Sequence, residues 1–216
     1  MHIQRHPMAP KLKAKDPVRR TQSDRREAAE SALFQAALSL IADRGVKGTT
    51  LAEVGEAAGY SRGITAHHFK TKDRLLQATA RYVHERYASL LAAKKAKSGL
   101  ETIVQIVELS CTARSVEVTR AVSLMQKEAF FDTSGLKDVF KKYNRAALQR
   151  IENEIRAGMA SGEIRKRINP RAEAAILLAL IRGVRAQWIL SAEKVNLPKM
   201  KRELTRFARR NLAVDT

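Results

Sequence analysis

Residues 49–72, TTLAEVGEAAGYSRGITAHHFKTK, begin with the start and stop signals of a short helix. Thr50 and Glu53 form a T-x-x-E capping box, in which the threonine oxygen accepts from a first-turn N–H and the glutamate reaches back to the cap. A helix should therefore start at Leu51. Gly59 should end it, because glycine takes the positive φ of a helix C-terminus at little cost.

A second, shorter helix follows immediately in this stretch. Ser61 is its N-cap candidate, and residues 62–68 are its predicted extent. Thr71 then caps a further helix, with Asp73 in the first turn, where an acidic side chain favours the helix dipole. A helix, a tight turn and a short helix make up the helix-turn-helix pattern, whose second helix enters the major groove of DNA.

The same residues resemble the DNA-binding domain of the TetR family of bacterial transcriptional regulators. The resemblance is carried by G-Y-S-R-G-I-x-x-H-H-F-x-T-K-D-x-L-L, which begins at Gly59, and by the preceding G-x-x-G-T-T-L-A-E-V, which begins at Gly45. It spans about residues 25–76. It implies an all-helical homodimer that binds a palindromic operator, usually represses, and releases DNA when a small molecule enters the C-terminal domain.

Within the second helix, four residues are candidates for contact with base pairs. Arg62 can bond a guanine bidentately, although a first-turn arginine can also simply face solvent. Gly63 allows the backbone to approach closely. By resemblance, Ile64 and His67 occupy positions that face bases, and Ile64 suits a thymine methyl group.

Four further residues are candidates for contact with the DNA backbone. Ser61 lies at a helix N-terminus, where the helix dipole and unpaired N–H groups favour a phosphate. By resemblance, Thr50, His68 and Lys72 match phosphate-contacting positions.

The chain departs from the family pattern at two places. Thr65-Ala66 stands where most of the family has Leu-Tyr, so a core-facing position is polar and a phosphate-binding tyrosine hydroxyl is missing. Val54-Gly55 replaces the commoner Ile-Ala. Because glycine inside a helix costs roughly 1 kcal/mol relative to alanine, we expect a close helix crossing at Gly55.

The net charge of +19 over 216 residues favours a polyanionic partner. Residues 1–23 carry six basic side chains against one acidic, whereas residues 24–72 carry seven against six. Residues 1–23 should form a disordered basic arm that follows the minor groove or the phosphates, or else a solubilising tail. Residues 73–98 and 99–216 carry net charges of +4 and +9, and a solvated surface is the alternative explanation for the latter.

Several functional classes are disfavoured. The longest apolar run has eight residues and ends at Ile181, whereas a membrane span needs about 20. One cysteine, Cys111, and the absence of an apolar leader favour a cytoplasmic, nucleoid-associated protein. His67 and His68 are adjacent, so they diverge by about 100° on a helix and do not suit one metal. No catalytic site, metal or cofactor is predicted.

The complete pattern predicts an all-α fold in which a three-helix DNA-binding domain, residues 24–72, precedes a helical effector-binding and dimerisation domain, residues 99–216. A long helix from Lys72 to about Ala93, and a basic joint, fill residues 73–98 between them. Turn signals divide the C-terminal domain into five helices, predicted at residues 100–113, 116–131, 135–159, 172–193 and 198–211. One of these signals, Asn169-Pro170, places a cap residue and then proline at the first helical position.

The helix from Ala172 to Glu193 is apolar on more than one face, so it must be covered on two sides. Its own domain covers one side, and a partner subunit should cover the other. By resemblance, this helix and the one from Pro198 to Asn211 form a four-helix interface with their symmetry mates. Two half-sites about 34–36 Å apart also require a dimer.

The effector is not specified by the sequence. Large or soft residues of the C-terminal domain are the pocket candidates, with core packing as the alternative for each: Cys111, Leu124, Met125, Phe130, Tyr143 and Trp188. Arg182 and Arg185 lie on an otherwise apolar helix, which favours an acidic or acyl-type effector held by one of them. A solvent-facing strip or an intersubunit salt bridge are the alternatives for these two arginines.

Two functions are consistent with the sequence. One is a ligand-responsive repressor that binds a palindromic operator. The alternative is a constitutive architectural DNA-binding protein that uses its charge without an effector. An activator role stays open as well.

Overall fold

The computed structural model describes residues 21–94, 99–112, 116–131 and 134–214, with the side chain of Arg62 left out. These residues form helices throughout, and the only strand-like pairing among them is one isolated bridge, Ile164 with Ala213. The helices are α1 (Gln22–Arg44), α2 (Leu51–Ala57), α3 (Arg62–Phe69), α4 (Lys72–Ala92), α5 (Leu100–Ser110), α6 (Val116–Glu128), α7 (Leu136–Ser161), α8 (Pro170–Leu190) and α9 (Leu197–Leu212). The predicted all-α fold is confirmed.

The helices begin where side-chain caps are available. Thr21 and Asp24 form a capping box that starts α1, so the last residues assigned to the basic arm, Gln22 and Ser23, already belong to the helix. The rest of the arm, residues 1–20, lies outside the described residues. Asn169 accepts from two N–H groups at the start of α8, with proline at the first helical position as predicted.

Most ends fall within three residues of the predicted ones. The basic joint predicted after α4 is described only at Lys94, since residues 95–98 lie outside the described part.

Three apolar clusters hold the helices together. The first joins α1, α2, α3 and the start of α4 through Leu33, Phe34, Val54, Phe69 and Leu75. The third, and largest, joins α4, α5, α7, α8 and α9, and Trp188 and Cys111 are both buried in it.

The second cluster lies between these two and joins α1 to the C-terminal helices. Leu38 and Ile41 of α1 pack with Met125 of α6, and Phe140 of α7 belongs to the same cluster. The prediction of a three-helix DNA-binding domain assigns α1 only to the packing of the helix-turn-helix. The structure adds a second role, because the C-terminal half of α1 is buried against α6.

Helix α8 has apolar residues on two opposite faces, as predicted. One face is buried in the third cluster through Ala174, Leu177, Ile181 and Trp188. The other face is exposed in the single chain and follows a regular spacing of three and four residues: Ala172, Ile176, Ala179, Gly183, Ala186 and Leu190. Its larger members are well exposed, Ile176 by 46% and Leu190 by 76%.

None of the described helices is long and apolar enough to cross a membrane. Nor do the described His, Cys, Asp and Glu side chains form any group of three or more that could hold a metal ion.

Candidate DNA-binding surface and effector site

Helices α2 and α3 are held in place by short-range hydrogen bonds. Thr50 accepts from the N–H of Glu53 at 3.3 Å, while a Glu53 carboxylate oxygen accepts from the Thr50 N–H at 3.0 Å. The Thr50 hydroxyl also donates to that carboxylate at 2.7 Å. This bond foremost, and then the bond from the Thr50 N–H, lower the pKa of Glu53. Gly59 has φ of 78°, and the next N–H, that of Tyr60, donates back to Gly55 at 2.8 Å. The predicted capping box and turn are both present.

One side of α3 is exposed and carries four of the eight residues predicted to contact DNA. Ser61, Gly63, Ile64 and His67 are all exposed, and we call these four the reading surface. Ile64, an apolar side chain, is 39% exposed. Arg62 is the first residue of α3, and its side chain lies outside the described part of the structure.

The N-terminus of α3 is open to a ligand. Ser61 occupies the N-cap position in extended conformation, yet its hydroxyl makes no capping bond. The first N–H groups of a helix have no partner inside the helix, so a phosphate can accept from them.

His68 and Lys72, two of the other residues predicted to contact phosphate, follow the reading surface in the chain. His68 is half-buried with its ring 6.1 Å from that of His67. Lys72 donates from Nζ to the carbonyl of Lys47 at 3.1 Å, which ties the start of α4 to the loop before α2. A lysine ammonium has three donors, so this bond leaves two for a phosphate.

The two departures from the family pattern contact each other. Thr65 is fully buried and its Oγ1 has no hydrogen-bond partner. A Cβ placed on Gly55 would overlap that same oxygen. The expected close crossing at Gly55 is therefore confirmed, and the missing side chain of α2 makes room for the polar side chain of α3.

The residues proposed as an effector pocket are separated into different parts of the fold. Leu124 and Met125 pack in the second cluster with α1. Cys111 and Trp188 are buried in the third. Phe130 is 81% exposed at the end of α6 and packs in neither. Cys111 and Trp188 share the third cluster, and the charge of Arg185 acts on Cys111, so these three stay together as a possible lining.

Tyr143 contacts His84 of α4, a polar side chain that the sequence analysis does not single out. The two rings are stacked with centroids 4.0 Å apart, and the Phe140 ring meets His84 edge-on at 5.7 Å. His84 Nε2 is buried without a hydrogen-bond partner. Burial lowers the pKa of His84 to about 4, and the positive charges of Arg185 and Arg182 act in the same direction.

Arg185 reaches from α8 toward the same region. It is half-buried, and burial lowers the pKa of its guanidinium, while Tyr87 and Cys111 oppose that shift. Tyr87 and Ser110 share a hydrogen bond of 2.8 Å beside it, linking α4 to α5. Burial raises the pKa of both Tyr87 and Cys111, and Arg185 acts against the rise in each.

We refer to His84, Tyr87, Arg182 and Arg185 as the cationic cluster. The signal for its α4 members was present in the sequence. His84 and Tyr87 are three apart, so they share a helix face, and Leu91 follows Tyr87 at four. This spacing alone does not reveal the cluster, because a single sequence does not show which neighbours a helix face will meet.

Comparison with known proteins agrees with this geometry. Residues 33–79 match the family described as bacterial regulatory proteins, tetR family, and residues 127–213 match the C-terminal region of BetI-type transcriptional repressors. The transcriptional regulator BetI of Burkholderia lata is 32% identical over 178 residues, which cover 77% of this chain and 84% of that protein. The chain belongs to the TetR family of bacterial transcriptional regulators.

Two further likenesses place this TetR-family chain among its relatives. The regulator CymR of Pseudomonas putida is 41% identical, but only over 81 residues, 38% of this chain and 40% of that protein. A transcriptional regulator of Saccharomonospora viridis, solved in complex with choline, superposes with a TM-score of 0.78 at 21% identity, covering 88% of this chain and all of the other. At that identity the second likeness shows the fold alone. These relatives are regulators of transcription, not enzymes.

Proposed function

We propose that this TetR-family regulator is a homodimeric repressor that binds a palindromic operator and is released from it by a small-molecule effector. The observation that carries the proposal is the reading surface. Ser61, Gly63, Ile64 and His67 are exposed on one short helix that is fixed from behind by Thr65 and Phe69, both buried. A rigid helix with exposed side chains on one side is what major-groove readout requires. Such a protein would act beside the chromosome in the cytoplasm.

Each residue of the DNA-binding set has a role in this proposal. Arg62, Ile64 and His67 read base edges, and Gly63 permits close approach. Phosphates are contacted by Ser61, Thr50, His68 and Lys72. The basic arm, residues 1–20, would add contacts that carry no sequence information.

The dimer would form through α8 and α9. The exposed face of α8 is built from small apolar residues, and Gly183 lies at its centre with no neighbouring atom within 4 Å of a Cβ placed there. On α9, Met200 is 36% exposed and Phe207 half-buried, seven residues apart on the same face. Small side chains permit close approach of two α8 helices related by a twofold axis.

Gly183→Glu tests the dimer, because the single chain has room for the new side chain while a symmetric dimer would bring two carboxylates together. We expect sedimentation of a monomer with a native helical circular dichroism spectrum. Ala88→Glu, on the exposed side of α4, is the matched control and should remain a dimer. A Gly183→Glu protein that stays dimeric would move the interface elsewhere.

The function itself is tested by selecting genomic fragments that the purified protein binds. A repressor should recover a short palindrome with half-sites one helical turn apart. An architectural protein would recover fragments without a common sequence. Genes beside the palindrome then indicate which metabolites to try as effectors.

A further inference from the structure

We infer that the cationic cluster is the effector's polar anchor and that the effector is an organic anion, whose carboxylate pairs with Arg185 and accepts a hydrogen bond from His84. The inference rests on the proposed function, since it assumes an effector in the C-terminal domain. It gives that effector a chemical class and two contacts.

The first support is that Arg185 lacks a partner. Within the described residues it forms no ion pair and no hydrogen bond, and its acidic neighbours are only the weak acids Tyr87 and Cys111. A half-buried guanidinium with five donors and no acceptor is costly unless something supplies one.

The second support is the sign of the surrounding charges. The side chains charged at neutral pH that shift the pKa of His84, Tyr87 or Cys111 are all basic. They are Arg150, Arg182, Arg185 and Lys201. Among the described carboxylates, Glu85 is exposed and raises the pKa of Tyr143, the ring stacked on His84. A cation such as choline would enter an environment of its own sign, whereas an anion would relieve the repulsion between Arg182 and Arg185.

The third support is that a second donor has no acceptor. His84 Nε2 is buried and unpaired, and the stack on Tyr143 fixes its ring. The charges of Arg185 and Arg182 on α8 both act on this ring, so the proposed carboxylate would lie between α4 and α8.

The test uses the full-length protein and three matched sets of probes: benzoate, phenylacetate and octanoate; their neutral amides; and choline. Binding is measured by calorimetry and by release from the selected operator fragment. We expect at least one carboxylate to bind and release DNA, with its amide weaker by roughly tenfold or more.

Two variants test the anchor, and a third serves as their control. Arg185→Gln keeps donors but loses the charge, and it should weaken the bound carboxylate roughly 10- to 100-fold. Arg171→Gln makes the same change at an exposed position at the start of α8, outside the cationic cluster, and as the matched control it should leave carboxylate affinity unchanged. His84→Phe keeps the stack on Tyr143 but removes the donor, and it should weaken the carboxylate roughly three- to tenfold.

The melting temperature of the ligand-free protein tests the inference independently of the choice of probe compounds. If Arg185 is an unpaired anchor, Arg185→Met should raise the apo melting temperature, whereas loss of a structural contact would lower it. A lowered melting temperature, carboxylate binding unchanged in Arg185→Gln, or failure of every carboxylate at millimolar concentration would overturn the inference. Release by choline would overturn it while leaving the proposed repressor intact, and absence of any selected operator would instead contradict the repressor.

Discussion

The reading surface on α3 and the cationic cluster between α4 and α8 are built in different ways. Helices α2 and α3 are fixed by neighbours in sequence, through the Thr50–Glu53 capping box and the turn at Gly59. The cationic cluster brings together His84 and Arg185, which are about a hundred positions apart. Local rules therefore specify the surface proposed to read DNA, and tertiary packing specifies the cluster proposed to bind the effector.

The largest expected effect tests whether the cationic cluster is truly desolvated. His84 has a pKa of about 4 in the fold against an ordinary value of 6.5. Between these two pH values the imidazole is protonated in the unfolded chain and neutral in the folded chain. The contribution of His84 to the free energy of unfolding should be fully present above pH 6.5 and should fall as the pH drops toward 4, by up to about 3 kcal/mol. Urea unfolding at pH 7.5 and 5 measures it.

Two substitutions assign this pH dependence to one residue. His84→Phe should remove much of the difference between the two pH values, because the phenyl ring keeps the stack on Tyr143 and cannot titrate. His67→Phe removes an exposed imidazole from α3 and should keep the wild-type difference. Equal pH dependence in both variants would mean that His84 is not buried in its neutral form.

The next effect concerns the surface proposed to read DNA. Arg62→Ala should weaken operator binding by about 1–3 kcal/mol, roughly 5- to 150-fold, and relax the preference at one base pair. Lys141→Ala makes the same charge change on an exposed position of α7 and should change affinity little. Fluorescence anisotropy at fixed salt measures both. If both variants weaken binding equally and uniformly across sequences, Arg62 contacts phosphate and does not read a base.

The smallest effect concerns the packing beneath the reading surface. Gly55→Ala should gain roughly 1 kcal/mol of helix propensity but lose about 1–3 kcal/mol by overlap with the Thr65 oxygen. The net result is a loss of about 1 kcal/mol in chemical denaturation. Thr65→Ala removes the overlapping oxygen, so the double variant should recover the helical gain. Additive effects of the two substitutions would contradict direct contact between them.

The same contrast explains what the sequence could predict. The helix order and the cap residues Thr50 and Asn169 follow from periodicity and capping, whereas the resemblance to the family predicts that Ile64 and His67 face the DNA bases. The buried contact of α1 with α6 does not, because an apolar helix face does not name its partner. For the same reason Phe130 stood among the pocket candidates, although the end of α6 leaves it in solvent. The role of His84 depends on Tyr143 of α7 and on the arginines of α8, and the sequence does not show that these residues lie beside it.

The resemblance to the family added the palindromic operator, which does not follow from spacing, and it supported the dimer that the two apolar faces of α8 also predict. Its limits fall where this chain differs. Ala66 replaces the usual tyrosine, so a phosphate contact must come from elsewhere, and the near-neutral charge of residues 24–72 places most of the positive charge outside the motif. Residues 1–20 are the strongest candidate source.

The most direct test of the central claim is the ratio of affinities for the selected palindrome and for random DNA of the same length, measured at one salt concentration. A repressor that reads sequence through α3 should prefer its palindrome by roughly 10³-fold or more. It should lose most of that preference on Arg62→Ala. A ratio near one, unchanged by Arg62→Ala, would contradict the account and support an architectural protein that binds through charge alone.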